Sequence, residues 1–318
     1  MVKLPSFAMC CVLGTLLWLH CSSSNEEAEA LVNDVPVVVV LGIAQDAGFP
    51  QADCHKPCCA NVWYEPSARR QVACLGIVDP QTKQAWMIDA TPDFKYQLHN
   101  LLTGGDSLEL AGIFLTHGHI GHYTGLMQLG REAMNAKAVP VHAMPRMREF
   151  LQSSGPWEQL VRLRNVELRS LRHDSSIVLN ARLKIEPFLV PHRDEYTETV
   201  GFRIIGPNRS CLYLPDIDKW EKWDTAIEEE IAGVDAAFID GTFYNDDELP
   251  GRNMAEIPHP FIVESLSRFQ ALPGSEREKI RFIHFNHTNP ALQQKSAAAD
   301  AIRESGSYVA TEGQRFSL

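Results

Sequence analysis

Short apolar runs bounded by turn-forming residues recur along almost the whole chain and predict a sheet-rich protein with interspersed helices. The β-branched run at residues 36–41 predicts a first strand, and residues 71–78 and 84–89 predict a hairpin that turns at Asp79-Pro80-Gln81. Further strands are predicted at 113–116, 139–143, 183–190, 200–205, 210–214, 236–240 and, as the final strand, 279–285. Helical spacing of apolar residues predicts helices at 92–102, 122–135, 145–152, 220–231 and 261–269.

This order of strands and helices occurs in both halves of the chain. It predicts two β-sheets packed against each other with helices on the outside. The 318 residues, 45% of them hydrophobic, are enough for a sizeable core. Because no internal repeat or linker divides the chain, we expect a single α/β domain over residues 36–318.

The N-terminal 30 residues have the composition of a targeting segment. Lys3 precedes an apolar run at 7–19 that is too short to span a bilayer comfortably, and a polar stretch follows it. This layout is typical of a secretory signal, and Ala28-Glu-Ala30 offers a cleavage site, so residues 1–30 are the predicted signal peptide. Two alternatives stay open: lipidation at Cys21, and a membrane anchor that is not removed. In each case we expect an exported protein of the periplasm or cell envelope.

The charge balance excludes one class of partner. The formal net charge is −11, and no long basic stripe offsets it. A phosphate backbone would be repelled by such a surface, so nucleic acid is not the expected partner. A small-molecule substrate is expected instead.

Metal-type ligands follow the ends of several predicted strands. Three histidines, His117, His119 and His122, stand within six residues after the apolar run at 113–115. Neutral imidazole is the commonest nitrogen ligand of zinc and iron, and a strand end can aim several side chains at one point. The same kind of residue recurs after later strands, at His192, Asp216, Asp240 and His284. The sequence therefore predicts a metal centre.

The segment His117-Gly-His119-Ile-Gly121-His122 resembles the H-x-H-x-D-H signature of the metallo-β-lactamase superfamily, which implies a four-layer αββα sandwich. His192, Asp216 and His284 occur in the order that this superfamily uses. The chain resembles the coenzyme PQQ synthesis protein B family more closely still. The matching segments are Leu41-Gly42 with Ala47–Gln51 and Cys54, then 120–126, 240–248, 251–252 and 282–290.

The resemblance implies a ligand set for two metal ions, one or two of them zinc, with iron as the alternative. His117, His119 and His192 would form the first site. His122, Asp216 and His284 would form the second, with Asp216 bridging the two. The aspartate of the signature is replaced by Gly121, which leaves the second site one carboxylate short. His287 is one candidate for the missing ligand, and a surface position is the alternative for it.

Other residues are expected to assist the centre without binding metal. Asp240, Asp46 and Asp89 are expected to orient ligands from behind. By resemblance to hydrolases of this fold, His259 is a candidate general acid near the leaving group. Asp216 is the second candidate catalytic residue, because it would bridge the reacting metal ions.

A second, structural metal site is predicted in the loop after the first strand. Cys54, Cys58 and Cys59 lie within six residues, with His55 as the proposed fourth ligand. Closely spaced thiolates suit a structural zinc, and the family resemblance implies a cysteine-bound zinc in this loop. In an exported protein, a disulfide such as Cys54–Cys59 is the alternative.

The leading functional prediction is an exported metallohydrolase. A metal-bound hydroxide would attack an ester, amide or phosphoester substrate. The PQQ-related family, in contrast, often lacks the first two histidines of the motif, which this chain retains. Two alternatives stay open: an iron-dependent oxygenase or hydroxylase that uses His122, Asp216 and His284, and a non-catalytic metal-binding envelope protein.

Overall fold

The computed structural model describes residues 34–103, 107–293 and 295–318. The predicted signal segment 1–30, with its cleavage site and Cys21, lies outside the described residues. Two seven-stranded sheets form the body of the fold.

The first sheet contains the N-terminal half of the chain and its last strand. Its strands are Val37–Gly42 (β1), Cys74–Asp79 (β2), Gln84–Ile88 (β3), Glu109–Phe114 (β4), Val139–Ala143 (β5), Val166–Ser170 (β6) and Arg315–Ser317 (β14). Their order is β14-β1-β2-β3-β4-β5-β6. β2 and β3 form the predicted antiparallel hairpin, whereas β3 to β6 run parallel.

The second sheet is built in the same mixed way. Its strands are Ile177–Val178 (β7), Lys184–Leu189 (β8), Val200–Ile205 (β9), Ser210–Leu214 (β10), Ala236–Asp240 (β11), Ile280–Ile283 (β12) and Tyr308–Val309 (β13). Their order is β13-β12-β11-β10-β9-β8-β7. The strands from β10 to β13 are parallel, and those from β7 to β10 are antiparallel.

Alternate residues of β1 explain why the sheets form layers. Val38 and Val40 belong to the cluster that packs between the two sheets, together with Phe114 and Phe202. Val37, Val39 and Leu41 point the other way and pack against the outer helices. Because successive side chains of a strand face opposite sides, a continuous apolar run predicts a strand that is buried on both faces. The predicted αββα sandwich is confirmed.

The α-helices cover the outer faces of the sheets. They run Pro57–Ala60, Phe94–Leu102, Ile120–Tyr123, Pro145–Ser153, Trp157–Arg162, Ile227–Ala232, Ile262–Phe269, Gly274–Arg277 and Ala297–Glu304. Short 3₁₀ turns span Pro66–Ala68, Thr124–Leu129, Trp220–Lys222, Met254–Glu256 and Pro290–Leu292. Within the described ranges, no helix is both long and apolar enough to cross a bilayer.

Three sequence-based element predictions were wrong. The helix predicted at 122–135 is a single α-turn followed by a 3₁₀ turn, because Gly125 lies against the loop after β3, where a Cβ would come within 2.1 Å of the Thr91 carbonyl oxygen. The helix predicted at 220–231 is broken into Trp220–Lys222 and Ile227–Ala232. Residues 279–285 do not contain the final strand, since β13 and β14 follow and extend one sheet each.

Strand direction places the predicted ligands at one edge of the sandwich. β3 and β4 are parallel in one sheet, and β10, β11 and β12 are parallel in the other. The carboxyl ends of strands that run the same way meet at the same edge, where ligands commonly bind in α/β folds. The loops that follow these strands carry Asp89, the three clustered histidines, Asp216 and His284, and Asp240 is the last residue of β11.

Candidate metal centre

Three predicted histidines form a first group of donors. Nε2 of His117 lies 2.8 Å from Nδ1 of His119. Three ring nitrogens lie within 4.8 Å of one another, one each from His117, His119 and His192. The loop after β4 supplies two of these rings and the loop after β8 supplies the third. The structure thus brings the predicted first site together.

The predicted second group also converges. Nε2 of His122 and Nε2 of His284 each lie 3.1 Å from Oδ2 of Asp216. The other carboxylate oxygen of Asp216, Oδ1, lies 3.7 Å from Nε2 of His192 in the first group. Oδ2 of Asp216 also lies 3.9 Å from Nε2 of His117, so the carboxylate stands between the two groups, as expected of a bridging carboxylate.

Asp46 joins the second group, contrary to the role predicted for it. Its Oδ1 lies 3.3 Å from Nε2 of His122, the nitrogen that faces Asp216. Asp46, His122 and His284 bring their donor atoms within 4.8 Å of one another. An aspartate that orients a ligand from behind would instead contact the opposite ring nitrogen, Nδ1.

Hydrogen bonds behind the rings fix their orientation. Nδ1 of His122 lies 2.7 Å from Oδ2 of Asp89, as expected for an orienting aspartate. Nδ1 of His117 lies 3.0 Å from Oγ1 of Thr116, and Nδ1 of His284 lies 3.0 Å from Oγ1 of Thr242. These contacts leave Nε2 of each ring pointing into the centre, which is the usual design behind metal-binding histidines.

His192 and His119 have carboxylate neighbours that the sequence did not indicate. Nδ1 of His192 lies 3.3 Å from Oδ1 of Asp218, and Nε2 of His119 lies 3.2 Å from Oε2 of Glu195. Asp218 stands two residues after Asp216, and Glu195 stands three after His192. Acidic residues this close to a ligand in sequence are the signal that could have identified both.

Burial and charge act in opposite directions on the acidic and basic members of the centre. Burial disfavours the charged form of Asp216, but His284 and His122 hold its pKa well below the usual range. Burial also disfavours protonation of His122, but Asp89, Asp216 and Asp46 raise its pKa well above the usual value. For His117 burial prevails, helped by His122, and lowers the pKa. A neutral imidazole is the form that binds metal.

The donor atoms fit a metal ion because their hydrogen-bonding capacity is otherwise unused. Four buried atoms of the second group have no hydrogen-bond partner among the described residues: Asp46 Oδ1, His122 Nε2, Asp216 Oδ2 and His284 Nε2. Nε2 of His192 shares this property. Buried polar atoms are nearly always satisfied, so five unpaired lone-pair donors at one place indicate a cation.

His259 is almost fully buried, and its donor atom lies within 4.8 Å of those of His192 and Asp216. Its Nδ1 is 2.7 Å from Oδ2 of Asp240 and 3.7 Å from Oδ1 of Asp216. Asp240 also accepts hydrogen bonds from the backbone N–H groups of Ile217 and Thr242. Asp240 thus orients His259, which leaves Nε2 of His259 as the nitrogen available for proton transfer.

The cysteine cluster forms a separate group, and the structure corrects its predicted fourth member. Cys54, Cys58, Cys59 and His287 bring their donor atoms within 4.8 Å of one another. His55 instead points to solvent, with 82% of its side chain exposed, and contacts Asp53. His287 is therefore the nitrogen beside the three sulfurs, and it is not the missing ligand of the second histidine group.

The sulfur geometry agrees with free thiols. Sγ of Cys58 lies 3.9 Å from Sγ of Cys54 and 3.9 Å from Sγ of Cys59. A disulfide needs about 2.05 Å, so the described cysteines are not cross-linked. Burial raises the pKa of the Cys59 thiol to about 12. A bound cation would therefore be needed to keep the Cys59 sulfur as a thiolate.

Comparison with known families agrees with this geometry. The family model described as "Beta-lactamase superfamily domain" matches residues 86–285. The chain belongs to the β-lactamase superfamily. The matched range includes the histidines of both groups and Asp216, whereas Asp46 precedes it, and the resemblance to this superfamily is confirmed.

Within the superfamily, the chain is similar to coenzyme PQQ synthesis protein B of Xanthomonas oryzae pv. oryzae strain MAFF 311018. The two are 26% identical over 311 residues, which cover 88% of this chain and 99% of that protein. The protein of the same name from Methylobacterium sp. strain 4-46 is 25% identical to this chain, and the alignment covers 88% of this chain and 99% of that protein.

Solved structures show the same fold. Zn(2+)-bound PqqB from Methylobacterium extorquens aligns with a TM-score of 0.73 at 21% identity, covering 89% of this chain and 100% of that one. A diphosphatase from the PhnP family aligns with a TM-score of 0.62 at 23% identity, covering 89% and 97%. Human tRNase Z, short form, aligns with a TM-score of 0.55 at 14% identity, covering 89% and 99%.

Proposed function

We propose that the protein is a metal-dependent hydrolase that cleaves an ester, amide or phosphoester bond in a small substrate. The observation that carries this proposal is the position of the Asp216 carboxylate between two histidine groups, within 4 Å of ring nitrogens of both. A divalent cation at such a site lowers the pKa of a coordinated water and polarises the bond to be cleaved. The diphosphatase and tRNase Z named above show that the fold accommodates hydrolases.

The protein's own residues would hold the reacting groups in place. Asp240 fixes the ring of His259, so Nε2 of His259 can deliver a proton to the leaving group. Nη2 of the exposed Arg193 lies 3.5 Å from Nδ1 of His119 in the first group. A positive charge at this position favours an anionic substrate and stabilises negative charge that develops during cleavage. A phosphoester is therefore the preferred class.

Hydrolysis can be tested on the full chain with bis(p-nitrophenyl) phosphate and p-nitrophenyl acetate. Zinc-loaded or manganese-loaded protein should turn over the phosphodiester, and a chelator should abolish turnover until metal is restored. His119→Ala should lower kcat/KM by about 100-fold or more. The matched control is His99→Ala, which alters an exposed histidine on the helix Phe94–Leu102 and should leave turnover unchanged.

The same preparations test the oxygenase alternative. Iron-loaded protein would be placed in an oxygen electrode with small aromatic and peptide substrates. Oxygen consumption that depends on iron, without hydrolysis under any metal, would contradict the proposed function. A centre that binds metal but turns over neither kind of substrate would favour the non-catalytic reading.

Export belongs to the same proposal. It is supported by the composition of residues 1–30, in which a basic residue precedes a short apolar run and a polar stretch. Cell fractionation and mass spectrometry of the mature N-terminus would check it. An N-terminus near residue 31 indicates cleavage after Ala30, whereas a lipid-modified Cys21 indicates a membrane tether. An intact N-terminus in the cytosolic fraction would contradict export.

A further inference from the structure

Asp46 occupies the space that the absent side chain of residue 121 would need. A Cβ placed on Gly121 would lie 2.2 Å from Oδ1 of Asp46 and 2.5 Å from its Cα. Real Cβ atoms do not approach other atoms so closely, so the two positions exclude each other. Glycine at 121 is required if the Asp46 carboxylate is to enter the centre.

The backbone around Asp46 is tied down beside His284. The N–H of Gln45 donates to the carbonyl of Phe285 at 2.8 Å, and Ala44 forms an isolated bridge with the same residue. Gly48, at a φ of +73°, then closes a turn by donating its N–H to the Gln45 carbonyl at 2.8 Å. Since glycine tolerates this conformation without strain, the turn holds Asp46 in one position next to the second histidine group.

Three of the donor spacings, around His122 and His284, match those of a tetrahedral ion. Oδ1 of Asp46 lies 3.3 Å from Nε2 of His122, while Oδ2 of Asp216 lies 3.1 Å from Nε2 of both His122 and His284. Zinc bonds of about 2.0–2.1 Å to nitrogen and oxygen at tetrahedral angles separate neighbouring ligands by about 3.3 Å. All four of these atoms are buried and have no hydrogen-bond partner among the described residues.

We propose that Asp46 is the fourth ligand of the second metal ion and replaces the aspartate that the superfamily signature places at position 121. The carboxylate has moved from the turn that begins at Ile120 to the loop after β1. The second ion is thereby held by two imidazoles and two carboxylates. This donor set is harder than the three imidazoles of the first group and suits zinc, manganese or ferrous iron.

The fourth ligand also argues against an open facial triad of two histidines and one carboxylate at this ion. Four protein donors around a tetrahedral ion form a closed site. The first group has three imidazoles of its own and shares only Asp216, whose Oδ1 lies 3.7 Å from Nε2 of His192, so it is the more open of the two sites to water or substrate. The proposal concerns metal binding only, and it holds whether or not the protein is a hydrolase.

Metal binding by Asp46→Ala and Asp46→Asn variants of the full chain tests the proposal. Metal would be counted by mass spectrometry, and cobalt would be titrated in with optical detection, since absorption from thiolate-to-cobalt charge transfer reports the cysteine cluster separately. We expect each variant to lose one equivalent of tightly bound metal, with the affinity at the second site lowered by about 100-fold or more. The matched control is Asp53→Asn, in the same loop and with its side chain 99% exposed. It should bind as many metal ions as the parent, with the same affinities.

Thermal unfolding separates a ligand from a structural residue. Without metal, Asp46 still contacts His122, with Oδ1 3.3 Å from Nε2, so the metal-free variants lose this one contact and should unfold at or slightly below the parent's temperature. With metal, they should lose part of the parent's thermal shift. The proposal is overturned if Asp46→Ala binds every ion with affinities within threefold of the parent. It is also overturned if the variant is destabilised equally with and without metal.

Discussion

Oδ2 of Asp89 lies 2.7 Å from Nδ1 of His122, and both side chains are fully buried. The other oxygen of Asp89 accepts hydrogen bonds from the backbone N–H and the hydroxyl of Thr116, at 2.8 and 2.9 Å. Asp89 adopts a φ of +72°, which is uncommon for a residue with a side chain. The backbone is therefore locally strained at the end of β3, where Asp89 orients the His122 imidazole toward the centre.

The Asp89→Asn substitution should weaken metal binding without removing a ligand. An amide cannot accept from all three of these donors, so the ring of His122 loses its fixed tautomer and orientation. We expect affinity for the second ion to fall by about 10- to 100-fold, measured by calorimetric zinc titration. Asp235→Asn is a suitable control, because Asp235 accepts a hydrogen bond from the Ser210 N–H where β10 begins, away from the centre. An unchanged affinity would mean that Asp89 does not orient the ligand.

The cysteine cluster should contribute stability through one structural zinc. Cys59→Ser should release one equivalent of zinc and lower the melting temperature, and the further loss caused by a chelator should be smaller than in the parent, since metal-binding free energy adds to folding free energy. Cys211→Ala changes a buried cysteine outside the cluster and should keep its zinc. If thiol counting instead finds Cys54 and Cys59 cross-linked in the purified protein, the zinc assignment fails.

Glu312 should make stability depend on pH. Burial raises the pKa of its carboxyl from 4.5 to about 7, although the Gln71 N–H and Arg70 act in the opposite direction and Asp93 reinforces the rise. The folded state thus binds more protons than the unfolded state between pH 4.5 and 7, so stability falls as pH rises through this window. Glu312→Gln stays neutral and keeps an oxygen for the Gln71 N–H. The variant's free energy of unfolding should equal the parent's at pH 4.5 and exceed it at pH 8 by on the order of 1 kcal/mol.

Urea unfolding at several pH values would measure this difference. Glu149→Gln, at an exposed helical position, is the control and should show the parent's pH dependence. If the free energy of unfolding of Glu312→Gln differs from the parent's by the same amount at pH 4.5 and pH 8, Glu312 is not the source of the pH dependence.

Phe202 should be a main contact between the two sheets. It is fully buried on β9, and its ring centroid lies 5.8 Å from that of Phe114 on β4, at an interplanar angle of 75°. Phe202→Ala should lower the free energy of unfolding by about 3–5 kcal/mol, because the cavity spans both layers. Val178→Ala, at a side chain on an exposed edge strand, should change it by less than about 0.5 kcal/mol. A loss below about 1 kcal/mol for Phe202→Ala would indicate that the sheets pack mainly through other residues.

The apolar runs located most strands of the central sheets because a strand buried on both faces has a composition that the sequence displays directly. The apolar runs did not predict the secondary structure of segments whose conformation depends on tertiary contacts. Thr124–Leu129 is a 3₁₀ turn because Gly125 must approach the carbonyl oxygens after β3. The strands Tyr308–Val309 and Arg315–Ser317 are too short to give a periodic signal and exist because partner strands accept them.

The sequence by itself determined which residues could bind metal and that position 121 could not, because side-chain chemistry and local spacing are properties of the chain alone. Only the tertiary structure decided which donors meet. Asp46 and His122 are separated by 76 positions, and Cys59 and His287 by 228. Parallel strand ends and the loop tied to Phe285 bring these pairs together. Residues so far apart in sequence converge through strand pairing and loop packing, which no local pattern encodes.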